Sequence, residues 1–233
     1  MKKTGKLKVM TIFGTRPEAI KMAPLVMELE NRPEIESYCC VTAQHRQMLD
    51  SVLDIFKLKP QFDLDIMEQR QTLSTITSKC LLGMEKVFSE VHPDLVLVHG
   101  DTSTTFAGAL AAFYQQIAVG HVEAGLRTYD KYSPFPEEMN RSMVGRMADL
   151  HFCPTEANRA NLALENIKDG VYITGNTVID ALNTTVVNDY HFTTEELNQL
   201  DYDGKKIIVV TCHRRENYGE PMENIMSALR RIA

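Results

Sequence analysis

Short apolar runs alternate along this chain with longer segments in which apolar residues recur every three or four positions. The first pattern predicts β-strands and the second amphipathic helices. Strands are expected at residues 8–13, 38–41, 62–66, 95–98, 117–122, 150–152 and 171–173. Helices are expected at 17–30, 48–56, 73–91, 104–114, 138–148 and 155–165, with another from 178 onward. Segment 48–56 carries the helical spacing plainly, with Leu49, Val52, Leu53 and Phe56 on one side. Run 95–98 is apolar throughout, as suits a strand covered on both faces. The alternation predicts an α/β fold, a doubly wound parallel sheet of the Rossmann-like type. Such sheets bind ligands at the carboxyl ends of their strands, so chemistry is expected in the loops there.

The pattern changes beyond residue 183. Residues 184–203 are polar and acidic and hold one short predicted helix at 194–200. A strand at 206–210 and a helix at 221–232 follow. Three parts are therefore expected: a Rossmann-like domain at 1–182, a linker at 183–204, and the start of a second Rossmann-like domain at 205–233. One strand and one helix do not enclose a core of their own. No internal repeat is present.

Composition narrows the partners. With 233 residues, 44% hydrophobic and 24% charged, the chain has the balance of a folded domain with a substantial core. Its 25 Lys+Arg against 31 Asp+Glu give a net charge of −6, which argues against nucleic acid as the main partner. A small anionic ligand needs only a local basic pocket and stays open. The five cysteines (Cys39, Cys40, Cys80, Cys153 and Cys212) are odd in number and include no C-x-x-C. That is neither a disulfide framework nor a zinc pattern, so reduced thiols, no metal and a cytoplasmic location are expected. Residues 1–8 are basic and lack the apolar region of a signal peptide, and no apolar run approaches a membrane-spanning length, so no membrane partner is expected.

Candidate chemistry sits at the strand ends. Gly14-Thr15-Arg16-Pro17-Glu18 follows the first strand. Gly14 suits a tight turn, and the helix N-terminus offers N–H groups to an anion. Arg16 adds a forked donor, and Lys21 a second charge one turn on. A routine strand-to-helix turn with an exposed arginine is the plainer alternative. This is not G-x-G-x-x-G, so no nicotinamide cofactor is implied. His99-Gly100-Asp101-Thr102 follows the strand at 95–98, and Asp101 is either a ligand-facing acid or a helix N-cap, a role Thr102 or Ser103 fills equally well. Glu123-Ala124-Gly125-Leu126-Arg127 follows the next strand. Glu123 beside a buried strand requires a partner, for which Arg127 is the structural candidate. Glu137 and Glu138 in Pro134-Phe135-Pro136-Glu137-Glu138-Met139-Asn140-Arg141 either favour the helix dipole or join Asp101 and Glu123 in an acid cluster with divergent pKa values. Thr211-Cys212-His213-Arg214-Arg215-Glu216-Asn217 brings a histidine and cations to the end of the last predicted strand. The other six histidines are read as structural.

Taken in this order, these segments resemble the non-hydrolysing UDP-N-acetylglucosamine 2-epimerases of bacteria, and Gly175-Asn176-Thr177-Val178-Ile179-Asp180 also matches a segment of that family. The resemblance spans essentially the whole chain. It implies half of a two-domain, glycosyltransferase-B-like architecture with the active site in the cleft between domains. It implies interconversion of UDP-N-acetylglucosamine and UDP-N-acetylmannosamine for cell-surface polysaccharide synthesis, with no metal or nicotinamide. The implied route removes the C2 proton, eliminates UDP to a glycal and adds UDP back. Asp101, Glu123, Glu137 and His213 correspond to the family's catalytic residues, and Arg16, Lys21, Arg141 and His213 to those facing the diphosphate. Gln44, Gln47, Arg70, Gln71 and Arg214 match an allosteric site for a second UDP-N-acetylglucosamine. A homodimer is the family's habit. Family members are considerably longer than this chain.

Two other readings stand beside this one: a glycosyltransferase of similar architecture, and a nucleotide-sugar-binding module without turnover. Acceptor transfer does not call for three acids in these loops. Exchange of the C2 hydrogen with solvent separates an epimerase from both.

Overall fold

The computed structural model describes residues 5–43, 46–68, 71–212 and 217–232. The strands are β1 (Leu7–Phe13), β2 (Ile35–Val41), β3 (Phe62–Asp63), β4 (Leu95–His99), β5 (Ala118–Val122), β6 (Leu150–Cys153) and β7 (Val171–Ile173). They form one sheet in the order β3-β2-β1-β4-β5-β6-β7, with every pairing parallel. The helices between and after them are α1 (Arg16–Glu30), α2 (Arg46–Phe56), α3 (Leu73–Val91), α4 (Ser103–Tyr114), α5 (Glu137–Met147), α6 (Glu156–Leu164) and α7 (Val178–Thr185). This is the expected doubly wound, Rossmann-like layer.

Strand β1 shows why both faces are covered. Its side chains alternate, so Val9 and Phe13 enter one core with α1 and α2, while Met10 and Ile12 enter the other with α3 and α4. Phe13, Met10, Ile12 and Met22 are fully buried, and each such side chain contributes about 1.5–3 kcal/mol relative to exposure. From β1 the chain winds outward through β2 and β3, then returns to place β4 on the opposite side of β1. The loops after β1 and β4 therefore diverge and leave a crevice at the carboxyl ends of these two strands.

Two strands of the sheet differ from expectation by more than a residue. β2 begins at Ile35, because Leu7 pairs with Ile35 and Lys8 with Glu36, a stretch the polar residues disguise in the sequence. β3 stops at Asp63 instead of 66, since Asp65 takes a positive φ of 42° and Ile66 turns into a small cluster with Ile76 and Cys80. All five cysteines are free, and four are buried. Burial pushes the Cys39 and Cys80 thiols each up to about 12.

Residues from Val187 onward form a separate unit. It holds α8 (Glu195–Asn198), α9 (Glu220–Ile232) and an aromatic group of Tyr190, Phe192 and Tyr202. The strand expected at 206–210 is not formed. Ile207, Ile208, Val209 and Val210 are exposed, and no strand among the described residues pairs with them. An apolar run becomes a strand only when a neighbour takes its backbone hydrogen bonds. None of the described residues of this unit is buried. No helix among the described residues is long and apolar enough to cross a membrane.

Candidate active site

The crevice is tied together by one buried acid. Glu18, 2% exposed in the first turn of α1, accepts the N–H groups of Gly14 at 3.0 Å and Thr15 at 2.8 Å through Oε2. Its Oε1 accepts the Thr102 hydroxyl at 2.6 Å and lies 3.0 Å from the Thr105 hydroxyl. One carboxylate thus joins the loop after β1 to the loop after β4. The sequence offers the start of α1 to an external anion, but Glu18 occupies two of the N–H groups in that loop. Gly14 is required for closeness and not for a positive φ. A Cβ there would lie 2.0 Å from Thr42 Oγ1 and 2.6 Å from Thr104 Oγ1.

Asp101 follows β4. Thr102, not Asp101, caps α4, since the Thr102 hydroxyl accepts the Thr105 N–H at 3.1 Å. Asp101 is left for the crevice. Arg141 Nη2 reaches its Oδ2 at 2.9 Å, and Asn140 Nδ2 donates to its backbone oxygen at 2.9 Å, so α5 holds this loop from above. Burial pushes the Asp101 carboxyl up to about 6. Arg141 opposes that rise, and Glu137, Glu123 and Glu18 add to it through their charge. An acid with its pKa near neutrality takes and gives a proton with comparable ease. Of the pair at the start of α5, Glu138 is the structural one. It is buried and accepts the N–H groups of Thr128 and Tyr129 at 3.0 and 2.9 Å. Glu137 stays half-buried and faces the acid cluster.

Glu123 sits at the end of β5 with a φ of 62°, a conformation rare outside glycine. Its expected partner Arg127 is engaged elsewhere, donating from Nε and Nη2 to Glu165 at 2.5 and 2.9 Å. Instead Glu123 Oε2 receives Lys21 Nζ at 2.5 Å and Asn176 Nδ2 at 3.0 Å. Glu123 is thus held by Lys21 of α1 and by Asn176, and not by Arg127.

Asp101, Glu123, Glu137, Lys21 and Arg141 therefore meet around one crevice. Arg16 is exposed at its mouth and has no ion pair among the described residues. Gln47 is exposed on α2, and Gln71 precedes α3. Gln44, Arg70, His213 and Arg214 lie outside the described residues. Sequence reasoning assigns no role to Glu18, Asn140 or Asn176, because only the fold brings them against the acids. No group of three or more His, Cys, Asp or Glu among the described residues is placed to hold a metal ion.

The chain matches the family described as UDP-N-acetylglucosamine 2-epimerase over residues 27–233. It is 65% identical to the UDP-N-acetylglucosamine 2-epimerase of Bacillus subtilis over 228 residues, which cover 97% of this chain and 59% of that protein. A crystal structure of a putative UDP-N-acetylglucosamine 2-epimerase from Listeria monocytogenes aligns with a TM-score of 0.87 at 55% identity, covering 98% of this chain and 59% of that one. A Neisseria meningitidis UDP-GlcNAc 2-epimerase bound to UDP-GlcNAc aligns at 0.73 with 56% identity, covering 76% and 49%. The chain spans about three-fifths of the curated relatives it matches. The match reaches across both the winding of the sheet and the loops that carry the acids, and on it the chain belongs to the UDP-N-acetylglucosamine 2-epimerase family.

Proposed function

We propose that this chain is the larger part of an isomerase that interconverts UDP-N-acetylglucosamine and UDP-N-acetylmannosamine. The observation that carries the reading is the convergence of Asp101, Glu123 and Glu137 on the crevice, with Asp101 titrating near neutrality. A carboxylate takes the weakly acidic C2 proton, the bond from C1 to UDP breaks, and a glycal forms. UDP then re-adds to C1 while a second acid delivers a proton to the other face of C2. This gives a flat sugar intermediate two differently placed acids, as inversion requires.

The leaving diphosphate needs cations. Arg16 is exposed for this, and Lys21 and Arg141 are held at the same crevice by Glu123 and Asp101. His213 joins them in this reading. Gln47 and Gln71, with Gln44, Arg70 and Arg214, form a second, regulatory site for UDP-N-acetylglucosamine. The Neisseria relative, bound to UDP-GlcNAc, supports the substrate class. In this reading residues 205–233 belong to a second Rossmann-like domain, supported by their separation from the sheet domain as a unit of their own. The working unit is a cytoplasmic homodimer, supported by Leu82, Phe113 and Tyr114 exposed on α3 and α4.

The deciding experiment is an NMR time course of the full-length protein with UDP-N-acetylglucosamine in deuterated buffer. Deuterium entering C2 together with the manno epimer supports the reading. A protein that binds the nucleotide sugar without exchanging C2 is a binding module, and the reading falls.

A further inference from the structure

One buried side chain at the crevice takes no part in the chemistry proposed above. His99, the last residue of β4, is 3% exposed, and neither ring nitrogen has a hydrogen-bond partner among the described residues. A buried imidazole without partners is costly, and such groups call for an explanation. The neighbouring His121 keeps one such bond, its Nε2 donating to the Gly100 carbonyl at 2.7 Å, while its Nδ1 has no partner among the described residues. His99 Nε2 lies 3.7 Å from Glu123 Oε2, just beyond hydrogen-bond reach. That same oxygen holds Lys21 at 2.5 Å and Asn176 at 3.0 Å. Gly100, adjoining, has no side chain between the ring and the carboxylate, and even an added Cβ there would stand 4.0 Å from Glu123 Oε1.

We infer that His99 is a positioning residue, whose Nε2–H takes hold of Glu123 Oε2 when Lys21 turns from that oxygen to an anionic ligand. The charged groups that face the ring are Glu123, Glu18 and Lys21. Burial holds the ring's pKa below its ordinary value, so it is a neutral, single-proton donor. A neutral donor suits this role because it fixes the carboxylate's direction without cancelling its charge. Lys21, with its side chain 23% exposed, is free to follow a phosphate, whereas His99 stays on the strand. The exchange keeps Glu123 aimed at the sugar at the moment its cation leaves.

The kinetic arm rests on the epimerase reading, and a spectroscopic arm does not. Long-range ¹H–¹⁵N spectra of the full-length protein, with histidine ¹⁵N-labelled and His99 assigned by His99→Gln, are recorded with and without UDP. The expected result is a proton on Nε2 and a downfield shift of that N–H when UDP is added, a shift that Glu123→Gln abolishes. A proton on Nδ1 with UDP bound, or an Nε2 signal that UDP leaves unmoved, overturns the inference. In turnover, His99→Phe lowers kcat about 10- to 100-fold with KM unchanged, the scale of one hydrogen bond to a charged group. His99→Gln, whose amide reaches the Nε2 position, restores most of the rate, and the shorter His99→Asn does not. Equal losses in Phe and Gln variants that fold normally overturn it as well. If the wild-type protein fails to exchange C2, the function falls and the spectra alone decide the role of His99.

Discussion

Replacing Asp101 by asparagine should stabilise the folded protein at alkaline pH while stopping its chemistry. Asp101 titrates at about 6 in the fold against 3.8 ordinarily. The folded state thus binds the proton more tightly than the unfolded state between those values. By linkage, stability is full below the unfolded pKa and is lost as pH rises through the folded one. The gap of about two units corresponds to ~3 kcal/mol, at about 1.36 kcal/mol per unit. The side chain is 26% exposed, so screening by solvent brings the expected effect nearer ~2 kcal/mol. Asparagine resembles the protonated acid and carries no such penalty. Any effect of the substitution on packing or on Arg141 that does not depend on pH cancels when two pH values are compared. The chain contains no tryptophan, so urea unfolding is best followed by circular dichroism. Between about pH 4 and about pH 8, Asp101→Asn should gain ~2 kcal/mol relative to the wild type. A difference of zero, or one of opposite sign, would refute the claim that burial and neighbouring acids raise this carboxyl. The same variant should show no C2 exchange in the full-length protein.

Three further outcomes follow from the geometry. Glu18→Gln turns an amide N–H₂ toward the N–H groups of Gly14 and Thr15 or forfeits the threonine hydroxyls, and it should cost about 2–4 kcal/mol in urea unfolding; a loss under about half a kcal/mol would mean that Glu18 is no tether. Gly14→Ala forces its Cβ against Thr42 and Thr104 and should cost about 1–3 kcal/mol, with part recovered by adding Thr42→Ala, as measured by thermal unfolding of the single and double variants. On the proposed homodimer, Leu82→Arg on the exposed face of α3 should yield a monomer in sedimentation velocity with circular dichroism unchanged, and an unaltered sedimentation coefficient would refute the assignment of an interface to this face.

Much of this architecture is legible in the sequence because it rests on periodicity. Helix α3 begins and ends where its apolar spacing does, and β4 and β7 coincide with their apolar runs to within a residue. Such elements are dictated by which side chains must leave water. The first residues of β2 escape a sequence reading because they pair with β1 through the backbone, which polar side chains do not reveal. The strand expected at 206–210 fails for the complementary reason: its side chains suit a sheet, but no neighbouring strand is present among the described residues.

The acids are equally visible, since a carboxylate directly after a buried strand stands out in any sequence. Their pairings are not. Arg127 lies four residues from Glu123 and yet bonds Glu165, while Lys21, about a hundred residues away along the chain, takes Glu123 instead. The sequence by itself determined the alternation of strand and helix, the loops that bear Asp101, Glu123 and Glu137, and the absence of a basic footprint for nucleic acid. Only the tertiary structure decided which cation meets which acid, that Glu18 locks the crevice, and that Asp101 titrates at about 6. The physical reason is that burial and Coulomb interaction depend on distance in space, and the sheet's return across β1 sets those distances independently of separation along the chain.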